Sequence, residues 1–221
     1  MKLLCLPGTY RPQGDTWLLV AAYLEGGFGD ARRVLDVGTG TGAVALAAAR
    51  TGGTGRRVTA VDISRRAVWS ARVNGLRRRL RLRVRRGDLL EPVAAERFDL
   101  VLANPPYVPA TSPEAPHRGP ERSWDAGRDG RLLLDRLCRG VPGILRPGGT
   151  VLIVHSSLCG VPRTLRLLRT AGLRARVVAR RTQPFGPVLT ARAPYMESCG
   201  IIEPGCREEE LVVIRGDLAA A

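Results

Sequence analysis

Lysine is all but missing from this chain. Lys2 is the only one, yet Lys and Arg together number 35 against 20 Asp and Glu, a net charge of +15 over 221 residues. Two causes produce that pattern. One is an anionic partner such as nucleic acid or the ribosome. The other is the codon bias of a GC-rich genome, which the abundant Ala, Gly and Pro share. The arginines crowd between Arg65 and Arg86, where Leu76, Leu80, Leu82 and Val84 interrupt them. That reads as a helix end and then a strand with an Arg-rich face, not a disordered basic tail. Histidine is nearly absent too, with His117 and His155 far apart, and the five cysteines are scattered without a Cys-x-x-Cys pair. This speaks against a structural zinc site and a disulfide framework. The cysteines read mostly as buried free thiols in a reducing compartment. No apolar run approaches the roughly 18 to 20 residues of a membrane span. The short apolar start is broken by Pro7 and Gly8, which does not suit a signal peptide. The expectation is a soluble, cytoplasmic, monomeric protein.

What the chain does have is regular alternation of apolar strands and helical patterns. Strands are expected at "RRVLDVG", "RRVTAVD", "LRLRVRRGD", "FDLVLANPP", "GGTVLIVHSS", "LRARVVARR" and "EELVVIRG". Helical patterns lie at "GAVALAAAR", at "SRRAVWSARVNG" with Ser64 as N-cap and Gly75 as stop, around Leu132–Leu137, and at "VPRTLRLLRTAG". Such alternation predicts βαβ units and a mostly parallel sheet with helices on both faces. No helical pattern is legible between the last two strands, so the seventh is expected to run antiparallel to the sixth. The reading is one α/β domain over 1–221, with a cap segment at 1–30 and a long insertion at 183–208.

Three glycines, Gly38, Gly40 and Gly42, follow the first strand and open a helix. Glycines there let the backbone turn tightly beside a helix N-terminus. With Ala43 the pattern matches the relaxed dinucleotide fingerprint. Three acids shift the reading. Asp62, ending the second strand, can accept ribose hydroxyls. Asp88, followed by Leu89, can meet an adenine amino group. Asp36, just before the glycines, would repel a pyrophosphate but suits a ligand's ammonium. The set favours S-adenosylmethionine over a nicotinamide dinucleotide.

The fourth strand ends on Asn104, then Pro105, Pro106 and Tyr107. Pro105 holds Asn104 extended, and the two prolines remove two N–H donors. What remains is acceptors, the Asn side-chain oxygen and the Pro105 carbonyl, beside the aromatic face of Tyr107. That array suits a planar group bearing –NH2. Two directed hydrogen bonds would make its nitrogen more pyramidal and aim the lone pair at a sulfonium methyl.

These motifs, in this order, resemble the HemK-type class I methyltransferases, which methylate the glutamine side-chain amide of peptide-chain release factors. "YRPQGDTWLL", "VLDVGTGTGAVAL", Asp62, "GDLLEP", "NPPYVP", "SWDAGRDGRLLLDRL", "LRPGGTVLIV" and "EELVVI" carry the likeness over nearly the whole chain. The resemblance implies a Rossmann-like sheet of seven strands with the last antiparallel. It implies S-adenosylmethionine as cofactor, Asp15 and Thr16 bordering it, and a catalytic group made of Asn104, Pro105, Pro106 and Tyr107, with Asn104 touching the cofactor as well. It also implies the compact form, without the N-terminal helical domain of bacterial members. Compact eukaryotic relatives act with a small zinc-binding activator. Here the third strand, expected at the sheet edge, alternates Arg with Leu and Val, so no obligate activator is expected. Three further readings remain: an amino-group methyltransferase acting on adenine or cytosine in DNA or RNA, one acting on another protein or a small molecule, or a cofactor-binding scaffold without catalysis, against which the intact Asn104 to Tyr107 speaks.

Overall fold

The computed structural model describes residues 3–53 and 55–220; Met1, Lys2, Thr54 and Ala221 lie outside them. Its strands are β1 (Arg33–Val37), β2 (Arg57–Asp62), β3 (Leu82–Arg86), β4 (Phe98–Ala103), β5 (Leu145–Ser156), β6 (Leu173–Pro184) and β7 (Glu208–Leu218). They form one sheet in the order β3-β2-β1-β4-β5-β7-β6. Strands β1 to β5 pair in parallel, and β7 lies antiparallel between β5 and β6. The chain moves outward from β1 to β3 and returns to β4 on the other side of β1. That reversal leaves a crevice at the carboxyl ends of β1 and β4, where open α/β sheets bind ligands.

Alternate residues of each strand face opposite cores. Val34, Leu100, Leu102 and Leu152 meet α1 (Gly14–Glu25), α2 (Ala43–Thr51) and α3 (Arg65–Arg77). Leu35, Val101, Ala103 and Ile153 meet α4 (Leu132–Gly140) and α5 (Val161–Thr170). Both faces of the central strands are covered, which is why β1, β4 and the second half of β5 read as continuous apolar runs, whereas the edge strands β3 and β6 alternate.

Three expectations are corrected. The 183–208 segment is not a helix-free insertion: β6 reaches Pro184, and a helix, α6, spans Pro187–Ser198. Pro194 inside that helix removes one backbone bond and masks the pattern. Leu189, Ala193 and Met196 nevertheless share its inward face and pack with Val108 and Trp124. Gly75 does not stop α3, which runs to Arg77 before Arg79 turns at φ 55°. Gly75 instead lets the Leu80 carbonyl and the Leu82 side chain approach; a Cβ there would meet them at 3.2 and 3.3 Å. The cysteines are all free, but only Cys138 and Cys159 are buried; Cys199 is exposed. Ser64 does cap α3, accepting from the Ala67 N–H at 3.4 Å. Strand β3 does form a sheet edge, and Glu96 draws Arg33, Arg83 and Arg85 together beside it. Among the described residues no helix is long and apolar enough to cross a membrane.

His155, buried in β5, gives the fold a pH dependence. Its Nδ1 lies 2.8 Å from the Ser156 carbonyl, to which it donates, while Nε2 is buried without a partner. Burial holds its pKa down, from 6.5 to about 4. Between those values the unfolded chain takes a proton that the folded chain refuses, so acidification favours unfolding. At pH 5 this costs about 2 kcal/mol. Wild type should therefore lose about that much more stability than His155→Gln between pH 7 and pH 5, read by urea denaturation. Equal losses in the two proteins would contradict it.

Candidate active site

A cleft of about 760 Å³ opens at the carboxyl ends of β1, β2 and β4. Its wall includes Tyr10 and Asp15 from the N-terminal segment, Gly38 and Gly40, Asp62, Asp88 and Leu89, and Asn104 through Tyr107. The start of α6 and Glu209 of β7 line it too.

The glycine loop folds back on β2: the Gly38 and Thr39 N–H groups donate to the Val61 carbonyl at 2.9 and 3.0 Å. Gly38 has φ 73°, and a Cβ there would stand 2.8 Å from the Asn104 carbonyl oxygen. This glycine therefore sets how closely the loop meets the turn after β4. Gly40 is on the cleft wall, whereas Gly42 lies behind it against Ala71.

Asp62 organises the loop from the next strand. Its Oδ2 accepts the Gly40 N–H at 2.9 Å and its Oδ1 the Ser64 N–H at 2.8 Å. Each oxygen keeps a lone pair for a hydroxyl in the cleft. Asp88 faces the cleft but shares its Oδ2 with Arg136 at 2.7 Å. Leu89 sits at φ 43°, a strained conformation for a leucine, and tightly shaped backbone of this kind clusters at ligand sites.

Asp36 is not on the cleft wall. It lies beneath the loop, 1% exposed, accepting from the Thr39 hydroxyl at 2.6 Å and the Ala45 N–H at 3.0 Å. Burial pushes its pKa up to about 7. Its carboxyl ties the loop to the start of α2 rather than facing a guest.

The carboxylate at the centre of the site is Asp15. Its Oδ2 receives three donors: the Tyr10 hydroxyl at 3.0 Å, the Tyr107 hydroxyl at 3.0 Å and the Asn104 amide Nδ2 at 3.1 Å. Thr16 stands behind, its hydroxyl 3.4 Å from the same Nδ2. A carboxylate only accepts, so Asp15 decides which end of the Asn104 amide faces it. Nδ2 turns inward, and Oδ1 is left for the cleft. Pro105 and Pro106 follow with no N–H, so the turn presents acceptors alone. Tyr107, held through its hydroxyl, is 9% exposed on the wall. Burial and Asp15 raise its pKa well above the usual phenol value, so it stays a neutral donor.

Behind the turn the Cys159 thiol donates to the Tyr107 carbonyl at 2.9 Å. The Cys159 carbonyl in turn accepts from Arg131, a fully buried guanidinium also bonded to Thr164 and Asp135. Tyr10, Arg131 and Glu209 lie within the motif stretches quoted above, but motif reading gave none of them a role, because no spacing rule announces their contacts.

Substituting Asp15 tests this arrangement. Asp15→Ala should lower kcat by about ten- to a hundredfold, the worth of hydrogen bonds to a charged group. Cofactor affinity, measured by calorimetry, should stay within about threefold. A fall in affinity with kcat unchanged would contradict it.

Comparisons with known proteins give the family and the fold. The family model for the methyltransferase small domain matches residues 15–115. A Methanocaldococcus jannaschii protein named for protein N5-glutamine methyltransferase activity is 33% identical over 193 residues, covering 87% of this chain and 95% of that one. A release factor glutamine methyltransferase of Bordetella pertussis is 37% identical over 174 residues, covering 76% of this chain and 64% of its own. Among solved structures, a chain of the E. cuniculi Mtq2–Trm112 complex, responsible for methylating the eRF1 termination factor, superposes with a TM-score of 0.66. It is 23% identical and covers 96% of this chain and 99% of that one. At that identity it shows the fold: a Rossmann-like methyltransferase sheet. On this likeness in sequence and fold, the chain belongs to the HemK-type glutamine methyltransferases, enzymes of the class I methyltransferase group.

Proposed function

We propose that the protein transfers a methyl group from S-adenosylmethionine to the side-chain amide of a glutamine in a peptide-chain release factor, in its Gly-Gly-Gln loop. The observation that carries this is the Asn104 amide, turned by Asp15 so that Oδ1 faces the cleft beside a turn without N–H groups.

The cleft fits the cofactor. Its volume is in the range of small-molecule sites, about 300 to 1,000 Å³. Gly38 and Gly40 would lie along the methionyl part, Asp62 would accept the ribose hydroxyls, and Asp88 with Leu89 would border the adenine. Asp36 and Gly42 act through the shape of the loop, and Thr16 acts through Asn104. S-adenosylmethionine bound there supplies an electrophilic methyl group on a sulfonium.

The chain's own residues then handle the acceptor. An amide nitrogen is a weak nucleophile because its lone pair is delocalised. Asn104 Oδ1 and the Pro105 carbonyl each accept a hydrogen bond from one of its N–H groups. This favours a more pyramidal nitrogen and points its lone pair along the transfer line. One of those protons leaves as the N–C bond forms and the S–C bond breaks. Tyr107 offers its ring to the amide plane. Asp15 keeps Asn104 and Tyr107 in place before the substrate arrives, so little reorganisation remains at the moment of reaction.

The relatives' names support a release factor as substrate. The E. cuniculi structure holds a partner subunit; here the Arg-bearing edge β3 supports an enzyme that needs no obligate activator. A cytoplasmic location follows from a substrate that works in translation. Incubation with labelled S-adenosylmethionine and cell extract tests the reading. Label should enter a protein of release-factor size. Label in nucleic acid, with steep salt dependence, would favour the base-methylating alternative instead.

A further inference from the structure

Glu209 is the second residue of β7, and none of the roles above uses it. It is 5% exposed and lines the cleft. Its Oε1 accepts from the Gln183 amide at 3.0 Å, which fixes the orientation of the carboxyl. Its Oε2 is buried and forms no well-directed hydrogen bond, with the Ser156 hydroxyl beside the carboxyl. Among the described residues no arginine forms an ion pair with it, in a chain whose Lys and Arg number 35. Burial and nearby Asp15 disfavour its charge, while Ser156 and Gln183 support it. A buried carboxylate with one oxygen unserved is costly, and such groups persist where a guest completes them.

Topology says which guest. The glycine loop, Asp62 and Asp88 follow β1, β2 and β3, on one side of Asn104. Glu209 stands on the other side, beyond β4 and β5. Because β7 alone runs antiparallel, it brings its first residues, not its last, to the rim where the parallel strands end. The start of α6, from Gly186 to Leu189, closes that side of the cleft. Glu209 therefore lies on the acceptor side of the cleft rather than the nucleoside side. An oxygen that can only accept calls for an N–H donor.

Building on the peptide-methyltransferase reading, we propose that Glu209, with Gln183 and the start of α6, forms a substrate subsite. There Glu209 Oε2 receives an N–H of the substrate peptide outside the reacting amide. Glu209 is thus a specificity-determining residue, separate from the acceptor pair at Asn104 and Pro105.

The test compares wild type, Glu209→Gln and Glu209→Ala on a Gly-Gly-Gln peptide, with S-adenosylmethionine affinity and melting temperature measured alongside. In Glu209→Ala, KM for the peptide should rise about ten- to a hundredfold, the worth of a hydrogen bond to a charged group. Glu209→Gln should lie between it and wild type, and kcat and cofactor affinity should hold within about threefold. Glu209→Gln, which removes the buried charge and keeps the volume, should not melt below wild type, whereas Glu209→Ala also strands the Gln183 amide. A merely structural Glu209 predicts lower melting with KM unchanged in both variants. That result, or a tenfold loss of cofactor affinity, overturns the proposal. If wild type binds cofactor but never methylates the peptide, the glutamine reading fails on its own. Glu209 is then judged by labelling of dilute cell extract: label markedly reduced in Glu209→Ala supports the subsite, and undiminished label overturns it.

Discussion

Asn104→Ala is expected to lower kcat/KM by about a hundred- to a thousandfold, the usual cost of removing one preorganised polar group aimed at a transition state. The loss should fall on kcat. Calorimetry should find S-adenosylmethionine affinity within about threefold of wild type, because the loop, Asp62 and Asp88 are untouched. Asn104→Asp is the sharper variant. It keeps the shape but brings a second carboxylate to Asp15, whose Oδ2 now receives the amide at 3.1 Å. Two carboxylates at that distance repel unless one holds a proton. Asn104→Asp should therefore be as inactive as Asn104→Ala at neutral pH. Activity of either variant near the wild-type level would remove Asn104 from the chemistry.

Arg131→Ala should produce the largest loss of stability, about 3 to 5 kcal/mol. Arg131 is 2% exposed and spends its guanidinium on Asp135, at 2.9 and 2.6 Å, Thr164 at 2.6 Å and the Cys159 carbonyl at 3.0 Å. Removing it leaves the buried Asp135 with only the half-exposed Arg163 and Arg139, and leaves two further acceptors unserved. Replacing Arg131 and Asp135 together by Met and Leu should recover part of the loss, because the under-compensated buried charge goes with its partner while the half-exposed Arg163 and Arg139 can turn to solvent. Arg180→Ala, which removes an exposed pair with Glu210, should cost under about 1 kcal/mol. Urea denaturation of the four proteins would show this ranking. Arg131 also reaches the site, since the residue that accepts from it, Cys159, holds the Tyr107 carbonyl. Arg131→Ala should thus lose kcat as well as stability, and a stability loss of under 1 kcal/mol would refute the network's role.

The sheet was legible because its central strands are apolar on both faces, its edge strands alternate, and most end on turn residues. The antiparallel β7 was legible because the expected crossover helix was missing from the pattern. That inference reached the right topology through an incomplete premise. A helix does lie there, but α6 carries Pro194 within it and packs on Val108 and Trp124 of the loop after Tyr107 rather than spanning the sheet as a crossover. The turn from Asn104 to Tyr107 was legible because proline and asparagine restrict the backbone locally. Asp36 was legible as an acid near the loop but not as one buried under it, since burial depends on how α2 docks. Asp15 entered through family likeness alone, and its hold on Asn104 and Tyr107 could not be read from spacing. They lie 89 and 92 residues from it. Glu209 was invisible for the same reason: its place at the rim depends on the reversed direction of β7.

The central claim is that Asp15 and the proline turn make Asn104 an acceptor for an amide nitrogen. Mass spectrometry of a Gly-Gly-Gln peptide after incubation with S-adenosylmethionine and the purified protein tests it most directly. The account predicts a single added methyl on the glutamine side-chain nitrogen with wild type, and none with Asn104→Ala. An unmodified peptide with wild type, or a methyl on any other atom, would contradict it.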